Sequence, residues 1–183
     1  MVITVVKWIF RQAESKDTRA IVALVDSAYR GETSRAGWTT EADLLDGRRT
    51  YSEEVEAIIT EPHNKIIMLE DESQLIASVH IKKSSSNENG GRAYLGMFAV
   101  SPNFQNQGIG KAMLSYVAKV VVEEWQCREI EMTVIRQRVE LIAWYEKLGY
   151  RVTGETRAFP YGDERYGIPK RQDLVLDVLM KRI

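Results

Sequence analysis

Gln105-Asn106-Gln107-Gly108-Ile109-Gly110-Lys111 joins a strand-like run, residues 94–100, to a long apolar run with helical spacing. Ser101 and Pro102 stand between strand and loop. Glycine at 108 and 110 lets the backbone turn tightly and approach a ligand with no Cβ in the way. The start of the following helix leaves N–H groups unpaired and carries the positive end of the helix dipole. The stretch therefore reads as a phosphate cradle in which backbone donors do most of the holding. Two other phosphate loops fail residue by residue. A Walker A loop needs Gly at 105 and Ser or Thr at 112, where this chain has Gln and Ala. The dinucleotide fingerprint needs a third glycine at 113, which is Met.

Periodicity on either side of the loop lays out the remaining elements. Residues 2–11 read as a strand, and Asp17 caps a helix whose Ile21, Leu24, Val25 and Ala28 recur at helical spacing, ending near Gly31. Residues 30–39 read as a loop; Thr40 opens a short helix through Leu45, and Ser52 opens another through Thr60, stopped by Pro62. Residues 65–71 and 74–83 form a hairpin about Glu72-Ser73, followed by a Ser/Asn/Gly-rich connection over 84–91 and a strand over 92–100. Met113, Val117, Val121 and Trp125 fall every four positions, widened by Leu114 and Val120, so the helix over 110–125 packs on a sheet. A strand over 129–135, a helix over 138–148 ended by Gly149, and strands over 150–155 and 173–181 complete the chain. There is no internal repeat, and residues 1–183 read as a single domain. Several strands in series before the first strand–helix–strand unit predict a mixed α/β sheet covered by helices.

Composition narrows the function classes. A chain of 183 residues can bury a sizeable core, and 28% charged with 44% hydrophobic residues is ordinary for a soluble globular protein. The net charge of −1 gives no pull toward nucleic acid or an anionic membrane. Basic residues over 165–171 are broken by Gly, Ile and Pro and make no helical stripe, so a nucleic-acid module is a poor fit. Cys127 alone forms no internal disulfide framework and fits a reducing compartment. Lys7 interrupts the apolar start of the chain, no small-residue cleavage site follows, and no run approaches the roughly 18 apolar residues of a membrane span. The expected location is cytoplasmic. His63 and His80 stand apart from any metal-ligand spacing, so no metal is expected.

Beyond the next strand comes Leu141-Ile142-Ala143-Trp144-Tyr145-Glu146-Lys147-Leu148-Gly149-Tyr150. Together with Gln105-x-x-Gly108-x-Gly110 it resembles the GNAT superfamily of N-acetyltransferases. That family's loop signature is Gln/Arg-x-x-Gly-x-Gly/Ala, and one of its helices ends Tyr-Glu-Lys-x-Gly-Phe. The resemblance covers residues 92–155. It implies a GNAT-like central, mostly antiparallel sheet of about seven strands flanked by helices. In that fold the strand ending at Val100 and the strand from Glu129 splay apart, and acetyl-coenzyme A lies in the notch. The backbone of Phe98 and Val100 would pair with the pantetheine arm. The amides of Gln107, Gly108, Ile109, Gly110 and Lys111 would hold the pyrophosphate, with Gln105 shaping the loop.

Tyr145 matches the tyrosine that in many members points its hydroxyl at the thioester sulfur. An amine attacks the acetyl carbonyl, and the departing thiolate needs a proton or a hydrogen bond. Reference values of about 10 for Tyr and 8.5 for a thiol make full proton transfer cost about 2 kcal/mol. On the residues alone Tyr145, four after Leu141, reads as a core aromatic. Arg138 stands where many relatives have Asn, and Leu141 where a small residue is common, so no cofactor role is carried onto Arg138; a phosphate contact and solvent are both open to it.

The attacking amine must lose a proton to a base within hydrogen-bond reach. Glu129, Glu131 and Glu41 are the nearby carboxylates, and the residues single out none of them. Direct attack in a ternary complex needs no side-chain nucleophile. The connection over 157–172 is longer than a hairpin requires. In this family that loop and the one between the first two helices line the acceptor site, which implies a wall of Tyr29, Trp38, Phe159 and Tyr161. Arg35, Arg157 or Arg165 would meet an anionic group. A solvated loop pinned by its aromatics is the competing reading. The implied function is acetyl transfer from acetyl-CoA to the primary amine of a small molecule. Transfer to a protein or peptide amine is the same chemistry on another acceptor, and a non-catalytic acyl-CoA sensor would keep the cradle without turnover. A small-molecule amine is the expected partner, without nucleic acid or membrane, and a homodimer is an allowed assembly.

Overall fold

The computed structural model describes residues 8–72, 74–84 and 91–183. In chain order its elements are β1 (Trp8–Gln12), α1 (Thr18–Tyr29), α2 (Gly31–Ser34), β2 (Leu45–Asp46), α3 (Ser52–Thr60), β3 (Asn64–Asp71), β4 (Gln74–Lys83), β5 (Arg92–Val100), α4 (Ile109–Glu123), β6 (Glu129–Ile135), α5 (Val139–Lys147), β7 (Arg151–Ala158), β8 (Ile168–Pro169) and β9 (Val175–Arg182). Residues 2–7 of the expected first strand, and 85–90 of the Ser/Asn/Gly-rich connection, lie outside the described residues. Among the described residues no helix is long and apolar enough to cross a membrane.

Seven strands form one sheet in the order β1-β3-β4-β5-β6-β9-β7, and β2 pairs with β8 in a separate ribbon. Neighbours in the large sheet are antiparallel except β5 and β6, which run parallel. This is the expected mixed, mostly antiparallel sheet. The parallel pair is joined only through Arg92–Glu129, Ala93–Ile130 and Tyr94–Glu131. Beyond Tyr94 the strands follow other neighbours, β5 against β4 and β6 against β9. The parting opens a notch in the sheet.

Alternation along the strands distributes the core to both faces. On β3, Ile66 and Met68 join Ile21, Val25 and Val55 of α1 and α3, while Ile67 and Leu69 join Met113, Val117 and Val121 of α4. On β5 the alternation breaks. Leu95 packs with the α4 cluster, yet Met97, two residues on, packs with the α1 cluster. A bulge causes the switch: Ser78 faces Ala99 and His80 faces Gly96, so β5 holds one residue more than β4 there. Met97 takes a φ of 48° at that point. The extra residue turns Val100 back to the α4 face, where without it period two would have sent it to the other side. Gly96 marks the spot in the sequence, because a Cβ there would meet the Tyr94 ring at 2.8 Å.

Three local expectations change. No helix runs over 40–45: the N–H groups of Leu44 and Leu45 close one turn onto the Glu41 carbonyl (2.8 and 2.9 Å), and Leu45 then pairs with Pro169 of β8. The expected loop over 30–39 contains the one-turn helix α2. Asp17 stands at the start of α1 without capping it; its carboxylate accepts from the Glu14 N–H (2.9 Å) and from Arg11 Nη1 (2.7 Å) instead.

His80 of β4 is largely buried, with Nε2 2.8 Å from Asn64 Oδ1. The Asn64 amide nitrogen donates to the Pro62 carbonyl (3.2 Å), which aims its oxygen at the ring. Burial, helped by Lys82, pushes the imidazole down to about 4. The unfolded chain, near 6.5, takes up its proton first as the pH falls. This share of stability is therefore full above about pH 6.5 and lost progressively toward pH 4, on the order of 3 kcal/mol in all. Urea titrations across that range should show the decline, and His80→Gln should flatten it.

Candidate active site

The cradle loop takes the shape its glycines permit. Gly108 opens α4 with a φ of 80°, and a Cβ there would meet nothing within 4 Å, so no protein atom fills the space in front of this backbone. Gly110 is needed for approach: a Cβ would stand 3.2 Å from the Trp144 ring. The first backbone bond of α4 runs from the Ala112 N–H to the Gly108 carbonyl (3.0 Å). The amides of Gln107, Gly108, Ile109, Gly110 and Lys111 make no hydrogen bond among the described residues. Five unpaired donors at a helix start fit a diphosphate.

Gln105 shapes the loop from within. Its Oε1 accepts from the Trp38 N–H (2.9 Å), and its Nε2 donates to Thr39 Oγ1 (2.9 Å) and the Val100 carbonyl (3.0 Å). One side chain thus ties the loop after α2 to the end of β5. Gln105→Ala would strand those backbone groups and is expected to lower stability by about 2 kcal/mol, read by denaturant unfolding.

The notch holds two cavities. The first, about 460 Å³, runs between the cradle and α5 and is lined by Val100, Gly108, Gly110, Leu141 and Trp144 among others. The second, about 380 Å³, lies between the splayed ends of β5 and β6 and is lined by Glu41, Arg49, Arg138, Arg157 and Phe159 among others. Both volumes suit small ligands. Tyr29, Phe98, Leu141 and Tyr145 line both cavities. Tyr29 donates its hydroxyl to the Phe98 carbonyl beside the bulge.

Tyr145 sits in an aromatic ladder, edge-on to Trp144 (5.0 Å) and Tyr150 (5.5 Å), with Trp144 in turn edge-on to Trp38 (5.8 Å). Its residue is buried, and burial raises its hydroxyl well above the ordinary tyrosine value. It is a neutral donor at any working pH. No hydrogen bond among the described residues uses that hydroxyl, which leaves it free for a ligand.

Charge in the second cavity is arranged around Glu41. Its carboxylate accepts from Arg30 Nη1 and from Arg138 Nη1 (2.9 Å), and Arg138 Nη2 also donates to the Thr39 carbonyl (2.6 Å). Burial alone would raise the carboxyl, but the guanidiniums of Arg138, Arg30 and Arg49 outweigh it and hold it below its ordinary value. Glu41 is thus a buried anion engaged by two arginines, unsuited to taking a proton. Arg138, open in the sequence to a phosphate contact or to solvent, is only 8% exposed and spends its donors on Glu41 and the Thr39 carbonyl. Glu131 is likewise engaged, by Arg92 (2.8 Å) and Arg157, and Glu129 by Arg92 (3.3 Å).

Phe98, Val100, Gln105, Gly108, Ile109, Gly110 and Lys111 converge on the first cavity with Tyr145. Gln107 follows in the same loop with its side chain exposed. Of the expected acceptor wall, Tyr29 and Phe159 line the second cavity. Trp38 does not; held by Gln105, it lines the first. Tyr161 lines neither cavity, because its hydroxyl accepts from the Leu174 N–H (2.7 Å) and donates to the Arg171 carbonyl (3.2 Å), pinning the connection before β9. Arg35 pairs with Glu32 and Asp43, and Arg165 with Asp163, all away from the cavities. Arg49 was not signalled by the sequence: it stands in an irregular polar segment with no periodicity. Among the described residues no His/Cys/Asp/Glu group could hold a metal ion.

The sequence profile of the Acetyltransferase (GNAT) family matches residues 32–150. Spermine/spermidine N(1)-acetyltransferase of Bacillus subtilis (strain 168) is 29% identical over 69 residues, covering 38% of this chain and 45% of that protein. The chain thus spans less than half the length of that polyamine relative. S-alkylcysteine N-acetyltransferase of the same strain is 28% identical over 150 residues, 79% of either chain. Among solved structures, an N-acetyltransferase from Staphylococcus aureus Mu50 superposes with a TM-score of 0.70 at 10% identity, covering 96% of this chain and 97% of its own. An acetyltransferase of the GNAT family from Streptococcus pneumoniae gives 0.67 at 17% identity, covering 97% and 100%. These structures share the fold of the splayed sheet, and with the profile spanning most of the notch the chain belongs to the acetyltransferase (GNAT) family.

Proposed function

We propose that this protein transfers the acetyl group of acetyl-CoA to the primary amine of a small molecule, by direct attack within a ternary complex. The observation that carries the reading is Tyr145, which lines both cavities and whose hydroxyl makes no hydrogen bond among the described residues. The unpaired amides of residues 107–111 would hold the diphosphate, and the β5 edge near Phe98 and Val100 would guide the pantetheine arm. Both carbonyls there already accept one hydrogen bond and keep a second lone pair. When bound, acetyl-CoA supplies an activated thioester. The ammonium form of the acceptor first loses one proton, to solvent; the amine would then add to the acetyl carbonyl, the C–S bond would break, and the second proton would end on the thiol.

The second cavity, walled by Phe159 and the Tyr29 ring, suits a compact acceptor. The relatives for polyamines and for S-alkylcysteine have in common only that their acceptors are small-molecule amines. Thiol release from acetyl-CoA across a panel of small amines, amino acids and peptides tests the proposal: turnover of at least one small amine is expected. Tight acetyl-CoA binding without thiol release from any acceptor would replace it with the sensor reading.

A further inference from the structure

Acetyl transfer as such leaves the charge of the second cavity unused. Three guanidiniums, those of Arg49, Arg138 and Arg157, line it against the single carboxylate of Glu41. Two of the three are committed: Arg138 to Glu41 and the Thr39 carbonyl, Arg157 to Glu131. Arg49 is not. Its side chain makes no hydrogen bond or ion pair among the described residues and rests over the Tyr29 ring, 5.7 Å from its centroid. Its backbone is fixed, because the Arg49 N–H donates to Asp26 Oδ1 (2.8 Å) near the end of α1, and Arg48 Nε grips the other oxygen (3.1 Å). Burial works against the charge, but Glu41 and its neighbours outweigh it, so Arg49 remains a cation. A guanidinium carried on a fixed backbone, resting on the Tyr29 ring and lining a cavity without a hydrogen-bond or ion-pair partner, is arranged for an anion from outside the protein.

The cavity also has an apolar lining, from Val134, Ile135, Phe159 and Leu176. We infer that the acceptor is an amine bearing its own carboxylate, an α-amino acid with an apolar side chain, and that Arg49 binds that carboxylate. The inference rests on the acetyl transfer proposed above and names its substrate class. The amine then points to the Tyr145 end, and the side chain lies against the apolar lining. Where the acceptor brings no carboxylate, the charge of Arg49 stays uncompensated in the cavity. The same charge opposes a polycation.

Steady-state rates with leucine, leucinamide, isopentylamine and spermidine test the class. Wild-type protein should show a kcat/KM for leucine roughly 10- to 100-fold above the other three, the range expected for a charge-assisted pair. Arg49→Met should erase that preference and Arg49→Lys restore part of it. Each is read as a ratio between substrates, which loss of folded protein does not move. Equal or better turnover of leucinamide or spermidine by the wild type, or a preference that survives Arg49→Met, overturns the inference and leaves acetyl transfer standing. Calorimetry with 4-methylpentanoate, which has the carboxylate and no amine, reads the site without chemistry; Arg49→Met should weaken it by a similar factor. Arg49-dependent binding of this anion, with thiol release from no amine, would overturn acetyl transfer and uphold the anion site.

Discussion

Tyr145→Phe is expected to lower kcat by roughly 100-fold while leaving the Kd for acetyl-CoA nearly unchanged. The ring stays in its ladder with Trp144 and Tyr150, so packing is retained and only a hydroxyl unused by the protein is lost. Burial holds that hydroxyl in its neutral form, which suits it to donate and not to serve as the base. Complete proton transfer to a thiolate is uphill by about 2 kcal/mol even at reference values, and a raised tyrosine makes it steeper. The effect should therefore come mainly from hydrogen bonding to charge that develops on the leaving sulfur. Two readouts separate this from a packing defect. The pH profile of kcat should show no alkaline fall from Tyr145 below about pH 10, and a better leaving thiol should narrow the gap between Phe and Tyr. Wild-type kcat in the Phe variant would sink the role.

Elements whose signal is local were legible in the sequence. The helix over Ser52–Thr60, stopped before Pro62, and the strand over Glu129–Ile135, set by its alternation, have the bounds expected of them. The cradle and the α5 segment are contiguous motifs, so the first cavity could be assembled from two stretches of chain. The bulge at Met97 carried a readable mark in Gly96, yet its consequence, returning Val100 to the α4 face, depends on β4 opposite. The second cavity was harder for a physical reason. Glu41 and Arg49 lie in irregular segments, and their meaning comes from Arg30, Arg138 and Tyr29 brought in from other elements. A free carboxylate and one clamped between two arginines look alike in sequence. Leu45 illustrates the same limit, since a turn that opens like a helix is diverted by pairing with Pro169, far along the chain.

Glu41→Ala is expected to destabilise the fold by roughly 3–5 kcal/mol at neutral pH, the largest loss from any single side chain discussed. The anion it removes neutralises two guanidiniums whose side chains are only 5% and 8% exposed, those of Arg30 and Arg138. Neither has an easy way out. Arg30 Nε is already buried without a partner, and Arg138 is held by the Thr39 carbonyl. Because the guanidiniums depress the Glu41 carboxyl below its unfolded value, its contribution is full above about pH 4.3 and lost as the pH falls through the native value. The difference between wild type and Glu41→Ala should therefore shrink in acid. Pairing Glu41→Leu with Arg138→Met should recover part of the loss, since removing both charges avoids leaving one of them buried alone. Urea unfolding of the two single variants and the double gives the coupling directly. An additive cycle would mean that Arg30 alone carries the charge of Glu41, and that Arg138 is held by the Thr39 carbonyl.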